Sequence, residues 1–265
     1  MLRPLCTYLL ICATLSVHAQ HAFVDTNMLG NFSYLLYGKT HSGCTVQATA
    51  ALIRSNGRLY MVTACHVING WYYESYDKED SYPDTLLLRV FSRKGNHVNF
   101  IPIDIHKLKH IKPPPGWPDI YFYPLNISSA YRVNTLESIS GKGKTMSRTP
   151  EDILVYGYQI TVDSDNVDFK KLPVTKATVK WCGQSWAPYT YTVSYPGNAL
   201  GPGNSGSPVF FSYKMPSGMV RPQFGGILIG GASASHTATI LRPELIWNLL
   251  KLYTVSHKSL RRAGQ

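Results

Sequence analysis

The sequence predicts an all-β protein with two antiparallel six-stranded β-barrels and a C-terminal α-helix. Tyr (18), Gly (21) and Pro (17) are frequent among its 265 residues, which is typical of strands joined by tight turns. About twelve strand-like segments fall into two sets that a polar linker separates. Only the last segment has apolar residues at helical spacing, and no internal repeat indicates a solenoid or a propeller.

The first set of predicted strands occupies residues 33–125. Its clearest element is a hairpin in which Thr45–Arg54 and Arg58–Ala64 flank Ser55-Asn56-Gly57. Asn-Gly between alternating segments is the strongest short-range hairpin signal. The other predicted strands of this set are Ser33–Gly38, Thr85–Phe91, Val98–Asp104 and Asp119–Leu125.

The second set of predicted strands occupies residues 152–241, after a polar, basic and Gly-containing linker at 137–150. The terminal helix is predicted at Pro243–Tyr253, with Pro in its opening turn. The chain is therefore divided into a signal peptide (1–19), an N-terminal barrel (20–136), the linker (137–150) and a C-terminal barrel with the terminal helix (151–265). The strands of this set are Asp152–Gln159, Leu172–Trp181, Tyr189–Tyr195, Ser207–Tyr213, Gly225–Gly231 and Thr237–Leu241.

The first 19 residues have the order of a secretory signal peptide. Arg3 precedes an apolar run at Leu5–Val17, and small residues follow around Ala19. The run is shorter than the ~20 residues that span a bilayer, so we expect no stable membrane anchor. The sequence therefore predicts a secreted, extracellular protein.

The composition excludes a disordered chain and does not require an anionic partner. Hydrophobic residues make up 44% and charged residues 15%, against roughly 25% charged in an average globular protein. The formal net charge is +11 without a run of five or six like charges, so nucleic acid is permitted as a partner but not required. No Cys/His spacing matches a zinc site. We expect a monomer without a metal or another cofactor.

The segment Gly201–Val209 (GPGNSGSPV) is the most informative part of the sequence. A nucleophilic serine needs a free hydroxyl at a sharp turn, with backbone N–H groups nearby that stabilise the oxyanion on the substrate. Small residues on both sides of Ser205 permit such a turn and the close approach of a substrate. We therefore predict Ser205 as the nucleophile and the N–H groups of Gly203 and Ser205 as the oxyanion hole.

A serine hydroxyl becomes a good nucleophile only when a base accepts its proton, so the prediction requires a histidine. His66 is the preferred candidate because it follows the apolar strand Leu59–Ala64 and begins a short turn, whereas most other histidines lie in polar loops. A carboxylate must then orient the imidazole. Asp119 directly precedes the apolar strand Ile120–Leu125 and is preferred to its main competitor, Asp104.

Three motifs resemble those of the chymotrypsin-like serine proteases: Thr63–His66 (TACH), Asp119–Phe122 (DIYF) and Gly203–Pro208 (GNSGSP). They occur in the family's order of His, Asp and Ser, and the resemblance covers nearly the whole mature chain. It implies that the histidine and the aspartate of the first barrel meet the serine of the second in the cleft between the barrels. The implied activity is that of an endopeptidase that cleaves proteins or peptides through an acyl-enzyme intermediate.

Asn204 departs from the animal digestive enzymes of this family, which have an Asp at this position. In those enzymes the Asp pairs with a new N-terminus after cleavage of a precursor. The motif here is more similar to those of bacterial glutamyl endopeptidases and some viral proteases. The resemblance thus implies activity without that ion pair.

The resemblance also implies a substrate pocket that includes Ala199, Gly230, Gly231 and Thr237. Ala199 stands six residues before the nucleophile, where trypsin-like enzymes have the base of the pocket, and it offers no carboxylate for Arg or Lys. Leu228 stands where relatives that select Glu or Gln have a histidine. We expect a small or apolar P1 residue.

Three cysteines remain after removal of the signal peptide: Cys44, Cys65 and Cys182. The resemblance implies a disulfide between Cys44 and Cys65, although relatives usually have the cysteine after the histidine rather than before it. Two N-x-S sequons predict N-glycosylation at Asn31 and Asn126 in a eukaryotic host.

Two other functions remain open from the sequence. A catalytically inactive protein of the same fold could bind anionic glycans or nucleic acid through its basic surface, but binding alone gives no reason for a Gly-flanked serine. A copper enzyme with His21 as an N-terminal ligand would need cleavage after Gln20, and no second histidine has a matching context.

Overall fold

The computed structural model describes residues 26–40, 43, 45–68, 83–95, 97–104, 118–139, 150–159, 167–184, 189–215 and 220–263. The predicted signal peptide and residues 140–149 of the predicted linker lie outside the described residues. The strands are β1 (Tyr34–Thr40), β2 (Thr45–Ser55), β3 (Arg58–Thr63), β4 (Pro83–Ser92), β5 (Val98–Ile103), β6 (Tyr121–Leu125), β7 (Tyr131–Arg132), β8 (Asp152–Gly157), β9 (Thr175–Gln184), β10 (Thr190–Ser194), β11 (Pro208–Lys214), β12 (Val220–Ala232) and β13 (Thr237–Leu241). The α-helices are α1 (Cys65–Ile68) and α2 (Pro243–Ala263), and short 3-10 helices lie at Thr26–Phe32, Leu136–Ser138 and Ser233–Ser235.

Strands β1–β7, the N-terminal half, form one curled antiparallel sheet in the order β5-β4-β1-β2-β3-β6, with β7 beside β4. The turn between β2 and β3 has left-handed backbone at Asn56 (φ 49°) and Gly57 (φ 73°), as a type I′ hairpin requires. Among the described residues β5 and β6 are the outer strands of this sheet, so the predicted first barrel has the form of a curled half-barrel. The additional strand, β7, has only two residues and therefore gives no periodic signal in the sequence.

Strands β8–β13, together with α2, form the C-terminal half, and the strands close into the predicted six-stranded barrel. The order around the barrel is β10-β13-β12-β11-β8-β9, with every pair antiparallel. Alternate residues such as Val155, Val193 and Ile240 fill the interior of the barrel. Leu154 and Tyr156, which flank Val155 on β8, are buried in a different apolar cluster. Strand β8 is thus buried on both faces.

That second cluster joins the two halves of the protein. It contains Ile53 and Phe122 from the N-terminal half and Phe210 from the C-terminal half, all almost fully buried. Helix α2 adds Leu250, and the ring of Tyr253 lies 6.0 Å from the ring of Phe122. The helix therefore covers the contact between the halves, and it continues for ten residues beyond the predicted end.

Arg89 on β4 makes a polar contact between the halves and is only 3% exposed. Its Nη1 donates hydrogen bonds to the carbonyl oxygens of Phe169 (2.8 Å) and Leu172 (2.9 Å) in the C-terminal half. The guanidinium also lies over the ring of Tyr158, 4.7 Å from its centroid. These contacts fix the turn around residues 169–172 against the N-terminal sheet.

Replacing Arg89 with Met is expected to lower the free energy of unfolding by about 2–3 kcal/mol, because at least two partly buried carbonyl oxygens lose their charged donor. Urea denaturation measures the change. The control is Arg58→Met, since Arg58 is exposed on β3, and we expect a change within about 0.5 kcal/mol there. Equal stability of the two variants would contradict the proposed contact energy.

Candidate active site

The pairing of β3 with β6 brings the predicted base next to the predicted carboxylate. Thr63 at the end of β3 pairs with Tyr121 at the start of β6. Because the strands are antiparallel, the residues just after β3 lie beside those just before β6. His66 on α1 and Asp119 before β6 are therefore neighbours, although 53 positions separate them.

Asp119 contacts His66 through both of its carboxylate oxygens. Oδ2 lies 2.6 Å from His66 Nδ1, and Oδ1 accepts the backbone N–H of His66 at 2.9 Å. The aspartate side chain is 2% exposed and the histidine side chain 18% exposed. An ionised carboxylate can only accept hydrogen bonds, so Nδ1 carries the proton and Nε2 of the neutral imidazole is left as an acceptor.

Ser205 lies on the loop between β10 and β11, and its Oγ is 2.9 Å from His66 Nε2. The loop is bound on two sides: the N–H of Thr49 on β2 donates to the carbonyl of Ser205 at 3.0 Å, and the N–H of Gly206 donates to the carbonyl of Leu228 on β12 at 2.8 Å. Gly206 has φ +87°, and a Cβ there would overlap the carbonyl oxygen of Thr49. Only glycine fits at this position.

The structure thus brings together the three side chains that the sequence singles out. Ser205 Oγ, the His66 ring and the Asp119 carboxylate form one continuous line of hydrogen bonds across both halves of the protein. Asp104, the competing carboxylate, lies at the end of β5, where its N–H donates to the hydroxyl of Tyr123 at 3.3 Å. This arrangement can transfer a proton from the serine hydroxyl to the imidazole.

The predicted oxyanion hole lies on the same loop. Gly203 has φ +92°, which glycine adopts without strain. Asn204 O accepts the N–H of Ser207 at 3.0 Å, and in the trans peptide the N–H of Ser205 points away from that carbonyl. Within the described part of the chain, neither the N–H of Gly203 nor that of Ser205 donates a backbone hydrogen bond.

Solved structures with similar backbones were found, whereas no protein-family model and no curated protein sequence matches the chain. A structure of GrC (granzyme C) is 13% identical, with 88% of this chain and 97% of that chain covered and a TM-score of 0.51. A serine endoprotease from Yersinia pestis is 10% identical, with 86% of this chain and 66% of that chain covered and a TM-score of 0.49. The chain thus spans about two thirds of that protein's length. A scabies mite inactivated protease paralogue, S-I1, is 12% identical, with 86% and 97% covered and a TM-score of 0.48.

The chain has the chymotrypsin-like fold. The resemblance inferred from the three motifs is thereby confirmed at the level of the fold, as is the all-β class with a C-terminal helix. At these low sequence identities, the similarity to the solved structures shows the fold alone.

Three of the four residues predicted to line the pocket, Gly230, Gly231 and Thr237, lie around the same end of β12 and β13. Gly231 pairs with Ala238, one residue after Thr237, and Gly230 pairs with Thr239 at a bulge. Ala199 is partly buried against the interior of the barrel.

The side chains near these residues offer hydroxyl groups and apolar surface. Thr237 Oγ1 lies 2.7 Å from Ser235 Oγ. Leu228 is buried inside the barrel, and the exposed His236 packs edge-on against the ring of Tyr195.

The predicted Cys44–Cys65 disulfide is not found, because Cys65 has a free thiol. Val62 pairs with Ala51, so the register aligns Cys65 with the middle of β2 rather than with its first residue, Thr45. Cys65 instead packs into the apolar core of the N-terminal half. Burial, reinforced by the nearby Asp119 charge, raises the pKa of its thiol to about 12. Cys44 itself lies outside the described residues.

The contacts that Thr49, Thr63 and Gly157 make in the site were not predicted from the sequence, although Thr63 belongs to the TACH motif. The Thr63 hydroxyl donates to the carbonyl of Thr49 at 2.8 Å, and the Thr49 hydroxyl reaches the loop that carries Ser205. Gly157 lies so close to this loop that a Cβ would overlap Ser207 Oγ. Threonine is common in strands, so nothing in the pattern distinguishes these two from structural residues.

Other predictions concern groups away from the site. Asn31 and Asn126 are both exposed, and whether they are glycosylated stays a prediction. Among the described residues, no helix combines the length and apolar character needed to cross a membrane. The described residues also contain no group of three or more His, Cys, Asp or Glu side chains placed to bind a metal. His21 lies outside the described residues.

Native protein treated with iodoacetamide at pH 8 is expected to react at Cys182, which is exposed, and not at Cys65. Cys65 is buried, and its raised pKa keeps the thiol protonated at pH 8. Peptide mass spectrometry measures both modifications. After denaturation without a reductant, Cys65 should also react; if it reacts only after reduction, the thiol is oxidised and the free state assigned here is wrong.

Proposed function

We propose that this protein is a secreted serine endopeptidase that hydrolyses peptide bonds through an acyl-enzyme intermediate. The observation that carries the proposal is the line of hydrogen bonds from Asp119 through His66 to Ser205 Oγ. Secretion rests on the signal-peptide pattern of residues 1–19. The chymotrypsin-like fold supports a peptide substrate, as does the serine at a tight, glycine-flanked loop.

In the proposed reaction, Ser205 Oγ attacks the carbonyl carbon of the scissile bond while His66 Nε2 accepts the hydroxyl proton. The carbonyl oxygen becomes an oxyanion, which the N–H groups of Gly203 and Ser205 stabilise. When the tetrahedral intermediate collapses, the C–N bond breaks and the imidazolium returns its proton to the leaving amine. Water then attacks the acyl-enzyme with the same proton transfers, and the acid product and free Ser205 are released.

Asp119 has two roles in this mechanism. Its Oδ2 holds the proton on Nδ1, so that Nε2 faces Ser205 as an acceptor, and it stabilises the imidazolium when this forms. Its Oδ1 holds the backbone N–H of His66 and thereby fixes the position of α1. Because the carboxylate is buried and bound at both oxygens, it needs little rearrangement during the reaction.

The wild-type protein is expected to react stoichiometrically with a fluorophosphonate probe and to cleave a denatured protein substrate. Ser205→Ala and His66→Ala should each lower turnover by at least about 10³-fold, because nucleophile and base act as one unit. Circular dichroism checks that each variant is folded, and Ser55→Ala and His97→Ala serve as matched controls outside the site. A folded wild-type protein that neither labels nor cleaves would instead favour the inactive binding protein.

Cut sites in a random peptide library are expected to follow small or apolar residues. Ala199 offers no negative charge to a basic P1 side chain, and the buried Leu228 offers no polar group. Sequencing of the products measures the preference, and Ala199→Asp should shift it towards Arg and Lys. Predominant cleavage after Arg or Lys by the wild-type protein would show that the pocket residues were assigned incorrectly.

A further inference from the structure

Thr49 on β2 lies outside the line of hydrogen-bonded side chains, and its hydroxyl makes two hydrogen bonds in a fully buried position. The hydroxyl donates to the carbonyl oxygen of Gly203 at 2.8 Å and accepts the backbone N–H of Tyr158 at 2.9 Å. Both partners belong to the C-terminal half, whereas Thr49 belongs to the N-terminal half. The hydroxyl thus donates its single proton to the Gly203 carbonyl and accepts the Tyr158 N–H with one lone pair.

The backbone of Thr49 holds the same loop. Its N–H donates to the carbonyl of Ser205 at 3.0 Å, and its own carbonyl accepts the hydroxyl of Thr63 at 2.8 Å. Thr49 thus contacts the carbonyl oxygens of Gly203 and Ser205, the two residues whose N–H groups form the proposed oxyanion hole. These carbonyls belong to the planar peptide groups 203–204 and 205–206, which lie on either side of the peptide group that carries the Ser205 N–H. Thr49 therefore holds the backbone on both sides of that N–H.

The loop of Ser205 needs these hydrogen bonds because its own sequence restrains the backbone conformation only weakly. Gly203 and Gly206 have φ of +92° and +87°, and glycine passes between such conformations and others at little cost. The side chain of Asn204 donates to the carbonyl of Gly201 at 3.2 Å, a bond that stays inside the loop. The hydroxyl of Thr49, by contrast, anchors the loop to a strand of the other half.

We propose that Thr49 is a positioning residue, whose buried hydroxyl holds the loop of Ser205 in the conformation in which its N–H groups can bind an oxyanion. The inference rests on the proposed endopeptidase function. It assigns to Thr49 no contact with the substrate: the residue acts through Gly203 and Ser205. Without the hydroxyl, the Gly203 carbonyl and the Tyr158 N–H are both buried without this partner, and the loop gains other conformations.

Thr49→Val tests the proposal, because valine keeps the shape of threonine and removes the hydroxyl. We expect kcat for a peptide substrate to fall about 10–100-fold while KM changes less than about 3-fold, since the oxyanion forms only in the transition state. Thr49→Ser, which keeps the hydroxyl, should restore kcat to within about 3-fold of the wild type. If Thr49→Val does not fold, Thr49→Ala replaces it.

The matched control is Ser33→Ala. Ser33 is also buried and also donates across the two halves, to the carbonyl of Tyr156 at 2.8 Å, and its described hydrogen bonds do not involve the loop. All variants should be made in a host that does not glycosylate, because Ser33 completes the Asn31 sequon. We expect Ser33→Ala to keep kcat within about 2-fold at equal folded fraction. An equal loss of kcat in Ser33→Ala would overturn the specific role of Thr49.

Amide hydrogen exchange of peptides that cover residues 199–207 gives a readout independent of activity. Thr49→Val should accelerate exchange there at least about 10-fold, whereas Ser33→Ala should not. If the wild type cleaves through Ser205 and Thr49→Val has unchanged kcat and exchange, the positioning role is wrong and the proposed function stands. If the wild type shows no Ser205-dependent cleavage, the proposed function fails, and the exchange rates alone decide whether Thr49 orders the loop.

Discussion

The contact between β2 and the loop of Ser205 is the interaction on which the candidate site depends. His66 and Asp119 belong to the N-terminal half, whereas Ser205 belongs to the C-terminal half. The hydrogen bond from the Thr49 N–H to the Ser205 carbonyl joins these two parts directly. A small shift of one half against the other would separate Ser205 Oγ from His66 Nε2, which are 2.9 Å apart.

Apolar and polar groups contribute differently to this contact. The shared cluster around Ile53, Phe122 and Phe210 removes apolar surface from water, and this attraction has little directional preference. Hydrogen bonds from Thr49 and Arg89 add direction, because each donor has to meet one acceptor. Adhesion and alignment of the halves therefore come from different sets of side chains.

The sequence predicted the fold class well because strands, turns and the last helix are local features. The β2–β3 hairpin and β13 follow from alternation and from turn residues such as Asn56-Gly57. How far the first sheet curls was not predictable, since it depends on edge strands whose pairing is not local. The cysteine pairing was inferred by resemblance and fails because the register of β2 and β3 is set by the hairpin, not by the cysteines. For the site, His66 and Ser205 have local motifs, whereas Thr49 owes its position to tertiary contacts alone.

The location of helix α2 affects the order in which the protein can assemble during synthesis. Tyr253 packs against Tyr60 and Phe122, which belong to the half that leaves the ribosome first. The N-terminal sheet can begin to fold as it emerges, but this part of its apolar surface stays uncovered until α2 has been translated. Ser205 is likewise translated long after His66. A nascent chain therefore has no completed serine–histidine pair until Ser205 has been translated, late in synthesis.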